Sequence, residues 1–214
     1  MNAPAKLNEV TPQVVEFTLD GKKAQAYAGE TILTVAKRMG MEIPHLCYKE
    51  GMRADGNCRA CVVEVKGERT LAPSCCRSAT AGMEVQSKSE RAVKSQKMVL
   101  EMLLSDMPDT GYKWDEQDEK LQHGELSQWA DQVGVTVRPA LKALRREQPK
   151  ADISHPAMAV NLDACIQCNR CVRACREEQV NDVIGYAMRG SSSEIVFDLN
   201  DPMGDSTCVA CGEC

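Results

Sequence analysis

Aromatic side chains are scarce in this chain: 4% of its 214 residues are Phe, Trp or Tyr. So few large side chains exclude a core built mainly on aromatic packing, and part of the stability must come from another source. The sequence has no apolar run approaching the roughly 20 residues that a membrane-spanning helix needs, and none of signal-peptide length near its start. These absences predict a cytoplasmic protein with no membrane partner.

Sequence motifs of bond-making enzymes are also missing. There is no phosphate-binding loop, no nucleophile paired with a base and no zinc-protease helix. The net charge of −5 is spread along the chain, and neither the acidic run at 115–119 nor the basic residues at 142–146 is long enough to indicate nucleic acid. We therefore expect no catalytic residue in this segment and no nucleic-acid partner.

Cysteine, by contrast, is abundant, with twelve residues that fall into two groups. None lies between Cys76 and Cys165. Thiols in a reducing cytosol serve as metal or redox groups far more often than as disulfides. The cysteines therefore predict metal centres, and removal of the metal should unfold parts of the chain.

The C-terminal cysteines follow the spacing C-x2-C-x2-C-x3-C and then, further on, C-x2-C-x2-C. This spacing is typical of ferredoxins with two [4Fe-4S] clusters, in which the fourth cysteine of one motif binds the other cluster. The ligands predicted for one cluster are Cys175, Cys208, Cys211 and Cys214. Those predicted for three corners of the second are Cys165, Cys168 and Cys171. Its fourth ligand is expected beyond Cys214 on a longer polypeptide; a three-iron cluster or an outside ligand is the alternative.

The N-terminal group combines a central C-x2-C pair with one distant cysteine on each side. β-Grasp ferredoxins hold a [2Fe-2S] cluster in this way, although the first gap is longer here than the four residues of the plant type. The predicted ligands are Cys47, Cys58, Cys61 and Cys75. Cys76 is expected to be a small buried residue.

Two features of the loop that carries this group remain open. Gly51, Gly56 and Asn57 either bring backbone N–H groups close to the sulfur atoms or simply make the loop flexible. His45 either supports the site or faces solvent. A tetrahedral zinc site prefers two C-x2-C pairs joined by a longer loop. A zinc-stabilised interaction module without a redox role is therefore the less favoured alternative.

Residue patterns predict an α+β chain in three parts. Residues 1–88 form a β-grasp [2Fe-2S] ferredoxin-like domain, 89–147 a helical connector and 148–214 a bacterial two-[4Fe-4S] ferredoxin-like module. The elements predicted are a hairpin at 14–27, a helix at 32–39, strands at 61–65, 70–72 and 83–86, helices that begin after Ser89, near Leu121 and at Pro139, a linker at 148–156, and strands at 158–162 and 195–199. Met98, Met102 and Met107 are expected to fill the core.

Three runs of residues support a family resemblance. Residues 43–48, 56–65 and 73–75 read IPHLCY, GNCRACVVEV and PSC. They closely resemble the N-terminal domain shared by the large iron–sulfur subunit of NADH:quinone oxidoreductase, iron-only hydrogenases and the catalytic subunit of cytoplasmic NAD-dependent formate dehydrogenases. The runs at 171–185 and 201–214 look most like the catalytic (alpha) subunit of the formate dehydrogenases.

This resemblance implies an electron relay. Electrons from reversible formate oxidation to CO2, at molybdenum or tungsten on two pterin guanine dinucleotides outside these residues, would pass through one [2Fe-2S] and two [4Fe-4S] clusters to an FMN- and NAD-binding iron–sulfur subunit. The implied partners are that subunit and the remainder of the chain's own catalytic subunit. The alternative is the iron–sulfur segment of an NADH:quinone oxidoreductase or an iron-only hydrogenase.

One departure from the resembled families concerns a further [4Fe-4S] site. Many of their members carry the pattern D-H-P-x2-C-x2-C-x5-C between the two modules. Here the corresponding stretch begins Asp106-Met107-Pro108 and contains no cysteine. We predict that this cluster is absent, and we expect electrons to pass between the modules by another route, through a cluster elsewhere in the complex.

Overall fold

The first half of the chain forms a mixed five-stranded sheet. The structure, a computed structural model, describes residues 13–107, 124–145 and 149–214. Its first five strands are β1 (Val14–Leu19), β2 (Lys22–Tyr27), β3 (Val62–Val65), β4 (Ala72–Pro73) and β5 (Glu84–Gln86). They lie in the order β2-β1-β5-β3-β4, with β1 and β5 parallel and the other pairs antiparallel. Helix α1 (Ile32–Arg38) follows the first hairpin.

Local sequence explains the hairpin and the helix. Phe17 and Leu19 alternate with more exposed residues on β1, so one face of the strand enters the core. Asp20 and Gly21 both have positive φ, as the two-residue turn between the strands requires. At the start of α1 the Thr31 hydroxyl accepts a hydrogen bond from the Thr34 N–H. The predicted α+β, β-grasp ferredoxin-like fold is confirmed.

The second predicted strand pair differs in its connection. We expected strands at 61–65 and 70–72 joined by a tight turn, but β3 pairs with the later, two-residue strand β4. The intervening chain turns away because Lys66 donates its backbone N–H to Glu84 of β5. Strand β3 therefore lies between β4 and β5, and a tight hairpin does not form.

A long helix, α2 (Glu90–Ser105), packs beside β3. The Ser89 hydroxyl caps its first turn, and the Gln96 side-chain amide donates to the Val62 carbonyl oxygen at 2.8 Å. The expectation of core filling is wrong for Met98 and Met102, since both are about half exposed, whereas Met107 packs against the apolar cluster around Leu100. The helix buries a different face, formed by Ala92, Gln96, Leu100 and Glu101.

Two shorter helices follow, α3 (Glu125–Val133) and α4 (Pro139–Lys142). The predicted start near Leu121 and the predicted end of the last helix lie outside the described residues. Arg138 binds Glu101 through its guanidinium at 2.7 Å and so ties α4 to α2. Among the described residues, no helix has the length and apolar character to span a bilayer.

The C-terminal part is built from short elements around a small apolar core. Helix α5 (Arg170–Arg173) continues into one π-helical turn, Ala174–Glu178. Strands β6 (Ile184–Ala187) and β7 (Glu194–Phe197) form a hairpin. The strand predicted at 158–162 is wrong: that stretch makes a single bridge, from Val160 to Asp152, and β6 takes its place beside β7. The remaining ordered turns are Leu162–Ala164, Gly190–Ser192 and Met203–Asp205.

The segment predicted as a linker is bound to this module where it is described. The Asp152 carboxylate accepts the Met203 N–H at 2.7 Å, and the Ser154 hydroxyl accepts the Gly204 N–H at 2.8 Å. A β-carbon on Gly204 would lie 2.5 Å from the Ser154 carbonyl oxygen, so only glycine allows this approach. The segment is therefore part of the module's structure.

Candidate metal centres

The four N-terminal cysteines meet at the end of the β-grasp sheet. Cys47 follows α1, Cys58 and Cys61 precede β3, and Cys75 follows β4. Side-chain hydrogen bonds link Cys58 to Cys47, Cys47 to Cys75, and Cys75 to Cys61. Cys47, Cys61 and Cys75 are each at most 1% exposed. We call these four residues the N-terminal group.

Backbone amides point at the sulfur atoms of the N-terminal group. The Cys58 N–H donates to Cys47 Sγ at 3.5 Å, and the Cys47 N–H donates to Cys58 Sγ at 3.4 Å. The Asn57 N–H also bonds the Cys47 sulfur, which answers the open question about that residue. Amide donors stabilise negative charge on sulfur, and this is how proteins raise the reduction potential of iron–sulfur clusters.

The thiols of the N-terminal group cannot all ionise easily by themselves. Hydrogen bonds from Cys58 and Cys75 lower the pKa of Cys47 to about 2, and one from Cys75 lowers the pKa of Cys61 to about 7. The pKa of Cys75 is raised, first by its hydrogen bond to Cys47, and that of Cys58 is raised for the same reason. Four thiolates this close need bound cations to balance their charge. The donor set fits iron.

Cys75 and its neighbour Cys76 have different environments. Cys75 is fully buried and contacts other members of the N-terminal group, whereas Cys76 is exposed. The expectation that Cys76 is buried is therefore wrong. Its sulfur lies 3.5 Å from that of Cys75 on the outer side. A β-carbon on Gly56 would lie 2.9 Å from Cys76 Sγ, so this glycine permits a close approach of the loop.

The two C-terminal motifs share an unusual backbone. The residues two and four positions after the first cysteine have positive φ in both loops: Gln167 and Asn169 in one, Ala210 and Gly212 in the other. For a residue other than glycine this conformation costs about 1–2 kcal/mol. In return, the Gln167 N–H donates to Cys165 Sγ at 3.4 Å and the Ala210 N–H to Cys208 Sγ at 3.5 Å. Repeated strain of this kind, with amides facing sulfur, is typical of anion nests at iron–sulfur sites.

The C-terminal cysteines influence one another electrostatically, most strongly within each motif. Burial, followed by the adjacent thiols of Cys168 and Cys165, raises the pKa of Cys171 to about 12, and Cys214 contributes less. Although Cys214 is exposed as a residue, partial desolvation of its thiol raises its pKa, and neighbouring thiols raise it as well. Those neighbours are Cys208, Cys211 and Cys175. We call Cys165, Cys168 and Cys171 the first C-terminal group, and Cys175, Cys208, Cys211 and Cys214 the second C-terminal group. The chemistry of both donor sets fits [4Fe-4S] clusters, with three thiols in one and four in the other.

The loop of the N-terminal group contacts the loop of the first C-terminal group directly. The Asn57 amide donates to the Gln167 carbonyl oxygen at 2.8 Å, and the Asn169 amide donates to the Asp55 carboxylate at 3.1 Å. Ile166 packs on the apolar cluster that also holds Cys58. The expectation that electrons pass between the modules through a cluster elsewhere in the complex stays a prediction, and these two loops touch directly.

His45 lies at the edge of this contact. Its ring packs against Tyr48 and Trp129, with centroids 5.9 and 5.4 Å away, and its Nδ1 lies 2.8 Å from the Ile43 carbonyl oxygen. Burial lowers its pKa. The interpretation of His45 as a solvent-facing loop residue is therefore wrong; it is a packing residue that supports the Cys47 loop.

Sequence reasoning missed two arginines in the same contact. Arg170 donates to the Tyr48 carbonyl oxygen and Arg173 to the Cys47 carbonyl oxygen, each at 2.6 Å. Arg173 is only 2% exposed. The sequence did offer one signal, because Arg173 lies inside the cysteine motif, two positions from each of Cys171 and Cys175. A basic residue on a solvent-exposed helix face was the simpler interpretation.

Comparison with known proteins supports the [2Fe-2S] assignment of the first domain. Residues 12–90 match a family described as a 2Fe-2S iron-sulfur cluster binding domain. Among solved structures, a chain of an NAD+-reducing [NiFe]-hydrogenase in the H2-reduced state superimposes with a TM-score of 0.76 at 31% sequence identity. The match covers 92% of this chain and 80% of that one.

The chain belongs to the family of iron–sulfur subunits found in NADH-quinone oxidoreductases and NAD-reducing hydrogenases. Curated members of the family align along most of this chain. NADP-reducing hydrogenase subunit HndD of Solidesulfovibrio fructosivorans is 34% identical over 94% of this chain. The mitochondrial 78 kDa subunit of NADH-ubiquinone oxidoreductase from Candida albicans is 32% identical over 85%. The chain spans 34% and 25% of their respective lengths. It is thus similar to one segment of these larger family members.

Proposed function

We propose that this chain is the electron-relay segment of an NAD-linked oxidoreductase complex of this family. The observation that carries the proposal is the direct contact between the N-terminal group and the first C-terminal group. Electron tunnelling weakens steeply with distance, so two redox centres on touching loops favour transfer between them. The electrostatic influence of Cys47 on Cys168 supports the same proximity.

The proposed cofactors are one [2Fe-2S] cluster on the N-terminal group and two [4Fe-4S] clusters on the C-terminal groups. When bound, these clusters would supply the one-electron chemistry. The residues of this chain hold them in place, exclude water from the buried thiolates and direct amide dipoles at the sulfur atoms. The hypothesis that the first C-terminal group receives its fourth thiolate from residues after Cys214 stays a prediction.

The identity of the complex is a finer proposal. The relatives named above are hydrogenase and NADH-ubiquinone oxidoreductase subunits, and they favour that alternative over formate dehydrogenase. Formate dehydrogenase remains a second proposal because the runs at 171–185 and 201–214 resemble its catalytic subunit. It would require molybdenum or tungsten on pterin guanine dinucleotides outside these residues. In either case we propose a cytoplasmic complex with a flavin- and NAD-binding subunit as partner.

Cluster content tests the relay. The complete complex should show visible sulfide-to-iron absorption, iron and acid-labile sulfide in matching amounts, and separate paramagnetic resonance signals for [2Fe-2S] and [4Fe-4S] centres after reduction. Offering hydrogen, formate or NADH as the electron donor then identifies the complex, together with analysis for nickel, molybdenum and tungsten. A colourless protein that contains zinc would remove the relay proposal altogether.

The zinc-stabilised module is the alternative to the relay. The N-terminal group presents four thiols with several amide donors to sulfur, which suits a cluster that carries its own sulfide. The same absorption spectrum distinguishes the two, because zinc thiolates have no visible bands.

A further inference from the structure

A buried arginine stands between the N-terminal group and the two C-terminal groups. Arg173 lies at the end of α5, two residues from Cys171 and two from Cys175, each of which belongs to a different C-terminal group. Its Nη2 donates to the carbonyl oxygen of Cys47 at 2.6 Å, and its Nη1 donates to the carbonyl oxygen of Arg53. One side chain therefore links the backbones that carry all three groups.

The charge of Arg173 differs from those of the two neighbouring arginines, Arg170 and Arg53, each of which pairs with a carboxylate. Within the described residues, Arg170 pairs with Glu125 at 2.6 Å and Arg53 with Glu177 at 2.8 Å. In the part of the chain that the structure describes, the hydrogen bonds of Arg173 go to two carbonyl oxygens, and its Nε is buried without a hydrogen-bond partner. At 2% exposure, water does not screen this guanidinium effectively.

A buried, unpaired cation is unfavourable unless negative charge lies nearby. The thiolate groups on either side of Arg173 supply that charge once clusters are bound, and reduction increases it by one electron. The cation should therefore favour the reduced state of the clusters, since net charge near a cluster sets its reduction potential. Arginine suits this position because it stays protonated at every relevant pH and can hold two carbonyl groups at once.

We propose that Arg173 is a positioning residue that fixes the N-terminal group against the C-terminal groups and raises the reduction potential of the N-terminal [2Fe-2S] centre through its buried charge. The proposal rests on the proposed relay function. During transfer one electron leaves one centre and enters the next, no bond forms or breaks, and Arg173 keeps its proton throughout.

The test compares three variants of the complete complex, purified with its clusters. Arg173→Gln keeps hydrogen-bond donors but removes the charge, and Arg173→Lys keeps the charge with fewer donors. The control is the double variant Arg38→Gln with Glu30→Gln, which removes an arginine together with its carboxylate away from this contact. Iron and sulfide are counted in each, and the midpoint potential of the [2Fe-2S] centre is titrated by paramagnetic resonance.

For Arg173→Gln we expect the ratio of reduced to oxidised [2Fe-2S] centre, at the wild-type midpoint, to fall about tenfold, which is ~59 mV for a one-electron couple. Arg173→Lys and the paired control should stay within about twofold of wild type, since their net local charge is unchanged. An unaltered potential in Arg173→Gln would overturn the proposal. So would an equal fall in Arg173→Lys, because that result would assign the effect to geometry alone.

Cluster loading separates failure of this inference from failure of the proposed function. If Arg173→Gln fails to hold its clusters, loading of Arg173→Lys decides: recovery supports the need for a buried charge, and failure there overturns it. If the wild-type complex itself lacks iron and sulfide, the proposed function fails. If it holds clusters whose potentials ignore Arg173, only the present inference fails.

Discussion

The N-terminal group and the second C-terminal group place the same ligand type in opposite environments. Cys61 and Cys75 belong to the apolar core of the β-grasp domain, together with Phe17 and Leu19. In the second C-terminal group, Cys211 and Cys214 are exposed and only Cys175 is buried. Packing of the polypeptide therefore holds the first set of thiols together. The second set should depend far more on the metal that we propose it binds.

Backbone conformation deepens this contrast. The C-terminal loops place Gln167, Asn169 and Ala210 at positive φ, a conformation that costs free energy for residues other than glycine. In the N-terminal loop only Arg59 does so among the residues other than glycine between Cys47 and Cys75. The stored strain predicts that the C-terminal loops relax when no cluster holds them, whereas the N-terminal loop keeps its shape.

Removal of the metal should produce the largest difference between the two regions. We expect iron chelation to abolish the hydrogen-exchange protection of residues 158–214 while strands β1, β2 and β5 stay protected. Exchange mass spectrometry of the complex before and after chelation measures both regions at once. Equal loss of protection in the two regions would show that the β-grasp core also depends on its cluster.

Substitution of adjacent cysteines should sharpen the description of the N-terminal group. Cys75→Ser is expected to remove nearly all of the [2Fe-2S] resonance signal, because it takes away a buried ligand. Cys76→Ser is the matched control and should leave the signal unchanged, since that thiol is exposed. The reverse pattern would make Cys76 the ligand.

A single methyl group should weaken the C-terminal part alone. Gly204→Ala places a β-carbon 2.5 Å from the Ser154 carbonyl oxygen, and such overpacking costs about 1–3 kcal/mol. We expect clusters to be lost at lower urea concentration, as followed by bleaching of the visible absorption. Gly185→Ala is the control, because its β-carbon would meet nothing within 4 Å. Similar losses in both variants would argue against a specific contact between 204 and 154.

The smallest expected effect concerns the contact between α2 and α4. Hydrogen bonding to Arg138 lowers the pKa of Glu101 below its ordinary value of 4.5. The ion pair between Glu101 and Arg138 therefore stabilises the contact fully above pH 4.5. This stabilisation is lost as the pH falls through the lowered pKa of Glu101. Glu101→Gln should raise hydrogen exchange of residues 138–142 about two- to fivefold at neutral pH, as for a partly exposed ion pair.

Exchange rates corrected for their intrinsic pH dependence provide the measurement. In the parent, the exchange rate of residues 138–142 should rise further below pH 4.5 as Glu101 becomes protonated. Glu101→Gln should not show this rise. Glu64→Gln is the control, because its carboxylate lies 3.9 Å from Arg91 and far from α4 in the chain. A pH response that survives in Glu101→Gln would contradict this assignment.

The sequence by itself determined the hairpin, α1, α2 and the grouping of the cysteines. These features depend on local signals: alternation on β1, the Asp20-Gly21 turn, the caps at Thr31 and Ser89, and cysteine spacing. The short strands were less well predicted. Strand β4 has two residues and β6 pairs only with β7, so neither carries a periodicity long enough to recognise.

Only the tertiary structure decided how the groups meet. Spacing along the chain cannot show that Asn57 reaches Gln167, 110 residues away, or that Arg173 reaches the backbone of Cys47. It also could not show that Met98 faces outward while Gln96 is buried against Val62. Contacts between distant segments depend on the summed packing of all the elements, whereas ligand spacing depends on one loop. The grouping of the cysteines was therefore readable from the sequence, and the direct contact between the groups was not.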